Sequence, residues 1–222
     1  MPTLYGAPIS PFARKVMVAL AEKGMAYDHD PVAPAVAPAN MNRVSKELSP
    51  LGRIPAYRDG DFAVADSSVI IAYLERVKSS PPLYPSETHD YARALWFEEY
   101  GDGGLAPIMG TKIFFQRVVG PMLFKQPTDE AVVNKAINEE LPPLFDYLES
   151  QLGSGDWLVG GRFSIADIGV GSPFAQASLV GVSPDAKRWP KLAAYVGRTL
   201  ARPSFADAIG KAKAMLGAMG IK

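Results

Sequence analysis

Residues 53–78 read RIPAYRDGDFAVADSSVIIAYLERVK. Proline has no N–H to give a ladder, so Pro55 belongs at the first position of a strand. Pro55-Ala56-Tyr57 and Phe62-Ala63-Val64 are short β-prone runs, and Asp59-Gly60 between them is a hairpin signal. Asp66-Ser67-Ser68 then supplies a helix cap. From Asp66 to Lys78 the apolar residues Val69, Ile70, Tyr73, Leu74 and Val77 recur at helical spacing. The stretch predicts strand, hairpin, strand and capped helix.

Working outward, Thr3-Leu4-Tyr5 is a short strand closed by Gly6 and Pro8. Pro11 to about Lys23 predicts a helix with Phe12, Val16, Ala19 and Leu20 on one face, stopped by Gly24. Tyr27 to Val32 reads as a second strand. PVAPAVAP at 31–38 is too proline-rich for helix or sheet and reads as a surface loop. Met41 to Leu48 reads as a short helix. The predicted order is βαβαββα.

Downstream, SSPPLYPSET at 79–88 interrupts the periodic segments and reads as a linker. It divides the chain into domains 1–80 and 89–222, with 81–88 between them. Beyond it no strand is legible. Tyr91–Tyr100, Glu130–Leu152, Ile165–Leu179, Lys191–Leu200 and Ala206–Leu216 fit helices, so this half predicts an all-α bundle. Asp102-Gly103-Gly104 is expected to interrupt or kink the first of them.

Composition narrows the chemistry. The 222 residues carry 23 Lys plus Arg against 23 Asp plus Glu, so no global charge draws the chain to nucleic acid or an anionic membrane. With no cysteine, disulfides, cysteine nucleophiles and thiolate metal sites are excluded. The two histidines, His29 and His89, exclude a multi-histidine metal site. No run reaches the ~18 apolar residues of a membrane helix, and MPTLYGAPIS lacks the pattern of a secretory signal. A soluble cytoplasmic protein is the expectation.

Three sites combine structural and chemical readings. Ser10 is a good N-cap for the first helix, and Pro11 fits its first position. The same helix N-terminus favours an anion, and the Ser10 hydroxyl can donate to a bound thiolate. Such surroundings lower a thiol pKa from its usual ~8.5. At Leu51-Gly52-Arg53-Ile54-Pro55, a cis bond before the proline would turn the Ile54 backbone outward to pair with an extended peptide. The alternative is an ordinary trans proline in a loop. Asp66-Ser67 caps the next helix, but its N-terminus and Ser67 also suit a carboxylate, and Asp66 suits an ammonium. An amino-acid head group carries both charges.

The order of these sites, SPFARKV, then RIPA, then ADSSVIIAYLE, resembles the N-terminal domain of the soluble glutathione S-transferases, serine-type branch. The linker, the helical half and Phe163-Ser164-Ile165-Ala166-Asp167 resemble the rest of that family. In physical terms the last motif is a capping box. The resemblance implies an α/β thioredoxin-like, glutathione-binding N-terminal domain and an all-α C-terminal helical bundle carrying the acceptor-substrate pocket. It implies Ser10 as thiolate donor, Ile54 pairing with the cysteinyl part of glutathione beside Pro55, and Asp66 and Ser67 holding the γ-glutamyl end. Arg53 would reach the glycyl carboxylate.

Tyr5, at the strand end, stays open as a tyrosine-type rival to Ser10. Glutathione is the implied co-substrate, with no metal, and a homodimer is implied. The expected reaction is conjugation to a small hydrophobic electrophile, as in detoxification. A non-catalytic scaffold of the same fold, or a glutathione-dependent isomerase, dehalogenase or peroxidase, remains as an alternative. Pro8, Phe97, Tyr100, Ile108, Met109, Phe114 and Phe115 are expected at the acceptor pocket.

Overall fold

A computed structural model describes residues 1–221. The chain packs as two compact units. One joins residues Met1–Pro82 to the C-terminal segment beginning at Pro203, and the other is Leu83–Arg202. The last helix, counted from the sequence with the helical half, therefore packs with the N-terminal residues.

The first unit is built on β1 (Thr3–Tyr5), α1 (Pro11–Glu22), β2 (Asp28–Asp30), β3 (Ala56–Asp59), β4 (Phe62–Ala65) and α2 (Ser67–Val77). The sheet order is β2-β1-β3-β4. β1 runs parallel to β2 and antiparallel to β3, and β4 closes the hairpin with β3. Leu4 and Tyr57 face each other in register and are fully buried. On the other side of the sheet Val32, Val44 and Ala56 form a small apolar cluster, joined by Tyr5, Leu48, Ile54 and Ala65.

Three expectations are corrected here. Met41–Leu48 is not a helix. Ala33 donates to Asn42 O and Val44 donates to Ala33 O, which draws 42–44 into a bridge with the proline-rich loop. Only a turn at Ser45–Ser49 remains, so tertiary pairing overrides local propensity. In α1 every residue from Ala13 to Leu20 is buried, while Phe12, assigned to the core stripe, is only half-buried. In α2 the buried face is Ser67, Ile70, Ile71 and Leu74, whereas Val69 and Val77 are about half exposed.

α1 is enclosed because α8 (Pro203–Ala218) packs on it through the stripe Phe205, Ala208, Ala212 and Leu216. The far ends of α1 and α2 are tied reciprocally. Lys23 Nζ, buried, donates to Lys78 O at 2.6 Å, and Lys78 Nζ donates to Lys23 O at 2.6 Å. Cations on the last carbonyls of two helices suit the negative ends of their dipoles. The openings of both helices are left at the opposite end, next to β1 and β3.

The second unit is helical: α3 (Thr88–Glu99), α4 (Glu130–Lys135), α5 (Leu141–Gln151), α6 (Ile165–Ser178) and α7 (Pro190–Leu200). The expected break after Tyr100 is instead a continuation in wider π-type turns, Tyr100–Leu105 and Pro107–Phe124. Their bonding shows at Ala106 N–H, which reaches back to Gly101 O. Gly101 is where α6 crosses: a Cβ there would lie 2.3 Å from Gly169 O, so the glycine permits the approach. Glu130–Leu152, expected as one helix, is divided into α4 and α5 by a π-type turn at Ala136–Glu140.

α6 is buried from Ile165 to Ala177, as a central helix must be. Its cap is the expected box. Asp167 Oδ2 accepts from Ser164 N–H at 2.9 Å, and Oδ1 accepts from Leu158 N–H at 3.1 Å and Tyr195 O–H at 3.0 Å. Burial pushes the Asp167 carboxyl up to about 6, against those donors. Of the residues expected at an acceptor pocket, Phe97, Met109 and Phe114 are at most 2% exposed and belong to the interior of this unit. Among the described residues no helix is long and apolar enough to cross a membrane.

Candidate active site

Three local features of the first unit converge. Ser10 has extended backbone (φ −73°, ψ 128°) and caps α1, its Oγ accepting from Ala13 N–H at 3.3 Å. Its own hydroxyl proton has no acceptor among the described residues. The segment before it is braced. His29 Nε2 donates to Gly6 O at 2.8 Å, and Arg14 donates to Pro8 O at 3.2 Å. Full burial lowers the Arg14 guanidinium to about 10, so it stays charged at neutral pH.

The Ile54–Pro55 peptide is cis. The Ile54 N–H and C=O, unlike those of the strand that follows, have no hydrogen-bond partner among the described residues. Pro55 O accepts from Asp66 N–H at 3.3 Å, which joins the start of β3 to the start of α2.

Asp66 is one of two non-glycine residues with positive φ among the described residues (φ 83°, ψ 130°). A conformation so sparsely populated persists where its surroundings hold it, and functional sites are where it recurs. Oδ1 accepts from Ser68 N–H at 3.0 Å and Val69 N–H at 3.2 Å. Ile70 N–H is satisfied by Asp66 O. The Ser67 N–H is left without an internal partner at the first helical position, and its hydroxyl sits beside it, buried.

A cavity of about 360 Å³ gathers the second and third of these features. It is lined by Arg53, Ile54, Pro55, Asp66 and Ser67, all expected from the sequence, and by Phe12, Ser49, Pro50, Leu51 and Ala65. Its size is within the ~300–1,000 Å³ of small-molecule sites. Arg53 is the one cation of the lining and Asp66 the one anion, with apolar walls between. Ser10 is not part of the lining; it lies two residues before Phe12, which is. Tyr5 also lies outside the lining and is packed on the Val32–Val44–Ala56 cluster.

Ser49 and Phe12 were missed by sequence reasoning, while Leu51 stood in the quoted run 51–55 without a role of its own. Phe12 carried the same helical periodicity as the core. The turn at 49–52, closed by Gly52 N–H on Ser49 O, was not read from the sequence, and Ser49 gave no signal for a cavity wall. Gly52 (φ +65°) makes that turn tight: a Cβ there would meet Ala35 Cβ at 2.5 Å.

A two-layer sheet-and-helix unit with a cis-proline before a strand and two capped helix openings beside it defines a thioredoxin-like binding domain. Comparison with known proteins agrees. Residues 4–82 match the glutathione S-transferase N-terminal domain, and residues 130–198 match the C-terminal domain. Glutathione S-transferase 3 of Zea mays is 31% identical over 169 residues, covering 74% of this chain and 72% of that protein. A probable glutathione S-transferase of Oryza sativa subsp. japonica is 28% identical over 208 residues, 90% of this chain and 92% of that one. Among solved structures, a glutathione S-transferase of Methylobacterium radiotolerans in complex with glutathione sulfonate is 28% identical. Its TM-score is 0.75, with 94% of each chain covered. This chain belongs to the glutathione S-transferase family.

Proposed function

We propose that the chain is a glutathione transferase that ionises the glutathione thiol at Ser10 and presents the thiolate to a small hydrophobic electrophile. The observation that carries the reading is what lines one cavity, the unspent Ile54 N–H and C=O, the unspent Ser67 N–H and the opposite charges of Asp66 and Arg53, with the Ser10 hydroxyl just outside the lining, two residues before Phe12.

Each matches one part of the tripeptide. Ile54 pairs with the cysteinyl backbone in the manner of an added strand. The Ser67 N–H and hydroxyl hold the γ-glutamyl carboxylate at a helix N-terminus, and Asp66 takes the ammonium. Arg53 takes the glycyl carboxylate. So anchored, the cysteinyl sulfur is directed toward the opening of α1. There the Ser10 O–H donates to it and the positive end of the helix favours its anion. The sulfur then forms a bond to the electrophilic carbon, and the group displaced from that carbon leaves with the bonding pair.

Two copies would associate. Phe62, 48% exposed and 4.9 Å from Tyr73 by ring centroids, and Val69, 50% exposed, form an apolar face on β4 and α2 that a second chain would cover.

The test is turnover of an aryl halide with glutathione. The wild type conjugates it, and Ser10→Ala slows conjugation at least about tenfold while still binding glutathione, because one unit of thiol pKa is a factor of ten in thiolate. Undiminished turnover by the variant would reduce Ser10 to a cap.

A further inference from the structure

Ser49 is buried, with 1% of its surface exposed, yet it lines the cavity. Its Oγ accepts from the Arg53 N–H at 3.1 Å, and its carbonyl accepts from Gly52 N–H at 2.8 Å. Its hydroxyl proton has no acceptor among the described residues. A buried hydroxyl with its donor unspent is costly until something supplies the acceptor. The Arg53 N–H fixes where that oxygen sits, and Gly52 O, accepting from Ala35 N–H at 2.8 Å, fixes the turn around it.

Two hydroxyls line the cavity, and their neighbours differ. Ser67 adjoins Asp66, the anion of the lining. Ser49 is bonded to the backbone of Arg53, the cation. A peptide oriented by those two charges brings its C-terminal carboxylate to the Arg53 end. Resting on the glutathione reading above, we infer that Ser49 is a further substrate-binding residue, its O–H donating to the glycyl end of glutathione beside the Arg53 guanidinium.

The experiment compares two ligands on one protein. Dissociation constants of glutathione and of γ-glutamylcysteine, which lacks the glycyl residue, are measured by titration calorimetry for the wild type and for Ser49→Ala. The inference predicts that glutathione binding weakens roughly tenfold more than γ-glutamylcysteine binding, the loss expected for one hydrogen bond to a charged group. Equal weakening of both ligands would mean that Ser49 acts only by holding the turn, and would overturn the inference, as would no weakening of either. If Ser49→Ala does not fold, the exposed Arg53→Ala serves. It must narrow the wild type's preference for glutathione over γ-glutamylcysteine, and an unchanged preference would remove the glycyl end from this part of the cavity. A wild type that binds neither ligand would sink the glutathione reading itself, which is a different failure from that of Ser49.

Discussion

Replacing Asp66 by Asn separates a cap from a head-group anchor. In the wild type Oδ1 takes the Ser68 and Val69 N–H groups, and the backbone sits at φ 83°. Asparagine keeps a carbonyl oxygen for both bonds and tolerates positive φ nearly as well. It loses only the charge, worth ~0.3–1 kcal/mol at a helix N-terminus. Alanine loses both bonds as well, a further ~1 kcal/mol. At ~2–4 °C per kcal/mol for a chain of this size, Asp66→Asn should melt within about 4 °C of the wild type, and Asp66→Ala about 3–8 °C below it.

Binding is affected differently. Both variants lose the partner of the glutathione ammonium, a charge-assisted bond at an exposed position, so about 0.5–1.5 kcal/mol, or ~2- to 13-fold in Kd. Thermal melts and calorimetric titration with glutathione read the two quantities separately. Unequal stability with equal loss of affinity is the expected pattern. If Asp66→Asn binds glutathione as the wild type does, Asp66 is a cap and nothing more.

Other perturbations test the frame around the site. Asp167 has a native value of about 6 against an ordinary 3.8, so the folded state binds its proton more tightly than the unfolded state. Its contribution to stability is complete below the ordinary value and is lost as pH rises through about 6, in total about 3 kcal/mol. Asp167→Asn removes that dependence. The stability difference between variant and wild type, followed by denaturant melts from about pH 4 to about pH 7, should change by about 2 kcal/mol, the greater part of that total. A constant difference would contradict the assignment. Gly101→Ala drives a methyl onto Gly169 O and should cost at least about 2 kcal/mol. Gly103→Ala, whose methyl meets nothing, should stay within about 1 kcal/mol of the wild type on the stabilising side, and paired urea melts compare the two.

What was legible in the sequence was local. Ser10 and Asp66 announce themselves because a cap needs only three residues of context, and both do cap their helices. Pro55 before a β-prone run fixed the start of a strand for the same reason. Segments decided by distant partners were not legible. The run 42–44 follows Ala33 rather than its own helical preference. Val69 and Val77 share a periodicity with the core but face outward, since the sheet and α1 take the Ile70–Ile71–Leu74 face. The glycines after Tyr100 suggested a break, whereas Gly101 serves the crossing of α6. Ser49 offered no signal at all, because its burial and its position on the cavity wall come from a turn pinned by Ala35.

The central claim is that the Ser10 hydroxyl stabilises the glutathione thiolate. The most direct measurement is an ultraviolet difference titration of the thiolate of bound glutathione, in the wild type and in Ser10→Ala, at saturating ligand. The wild type should ionise the bound thiol below the ~8.5 of a free thiol, and the variant should return it by about a unit or more toward that value. Identical midpoints in the two proteins would contradict the account.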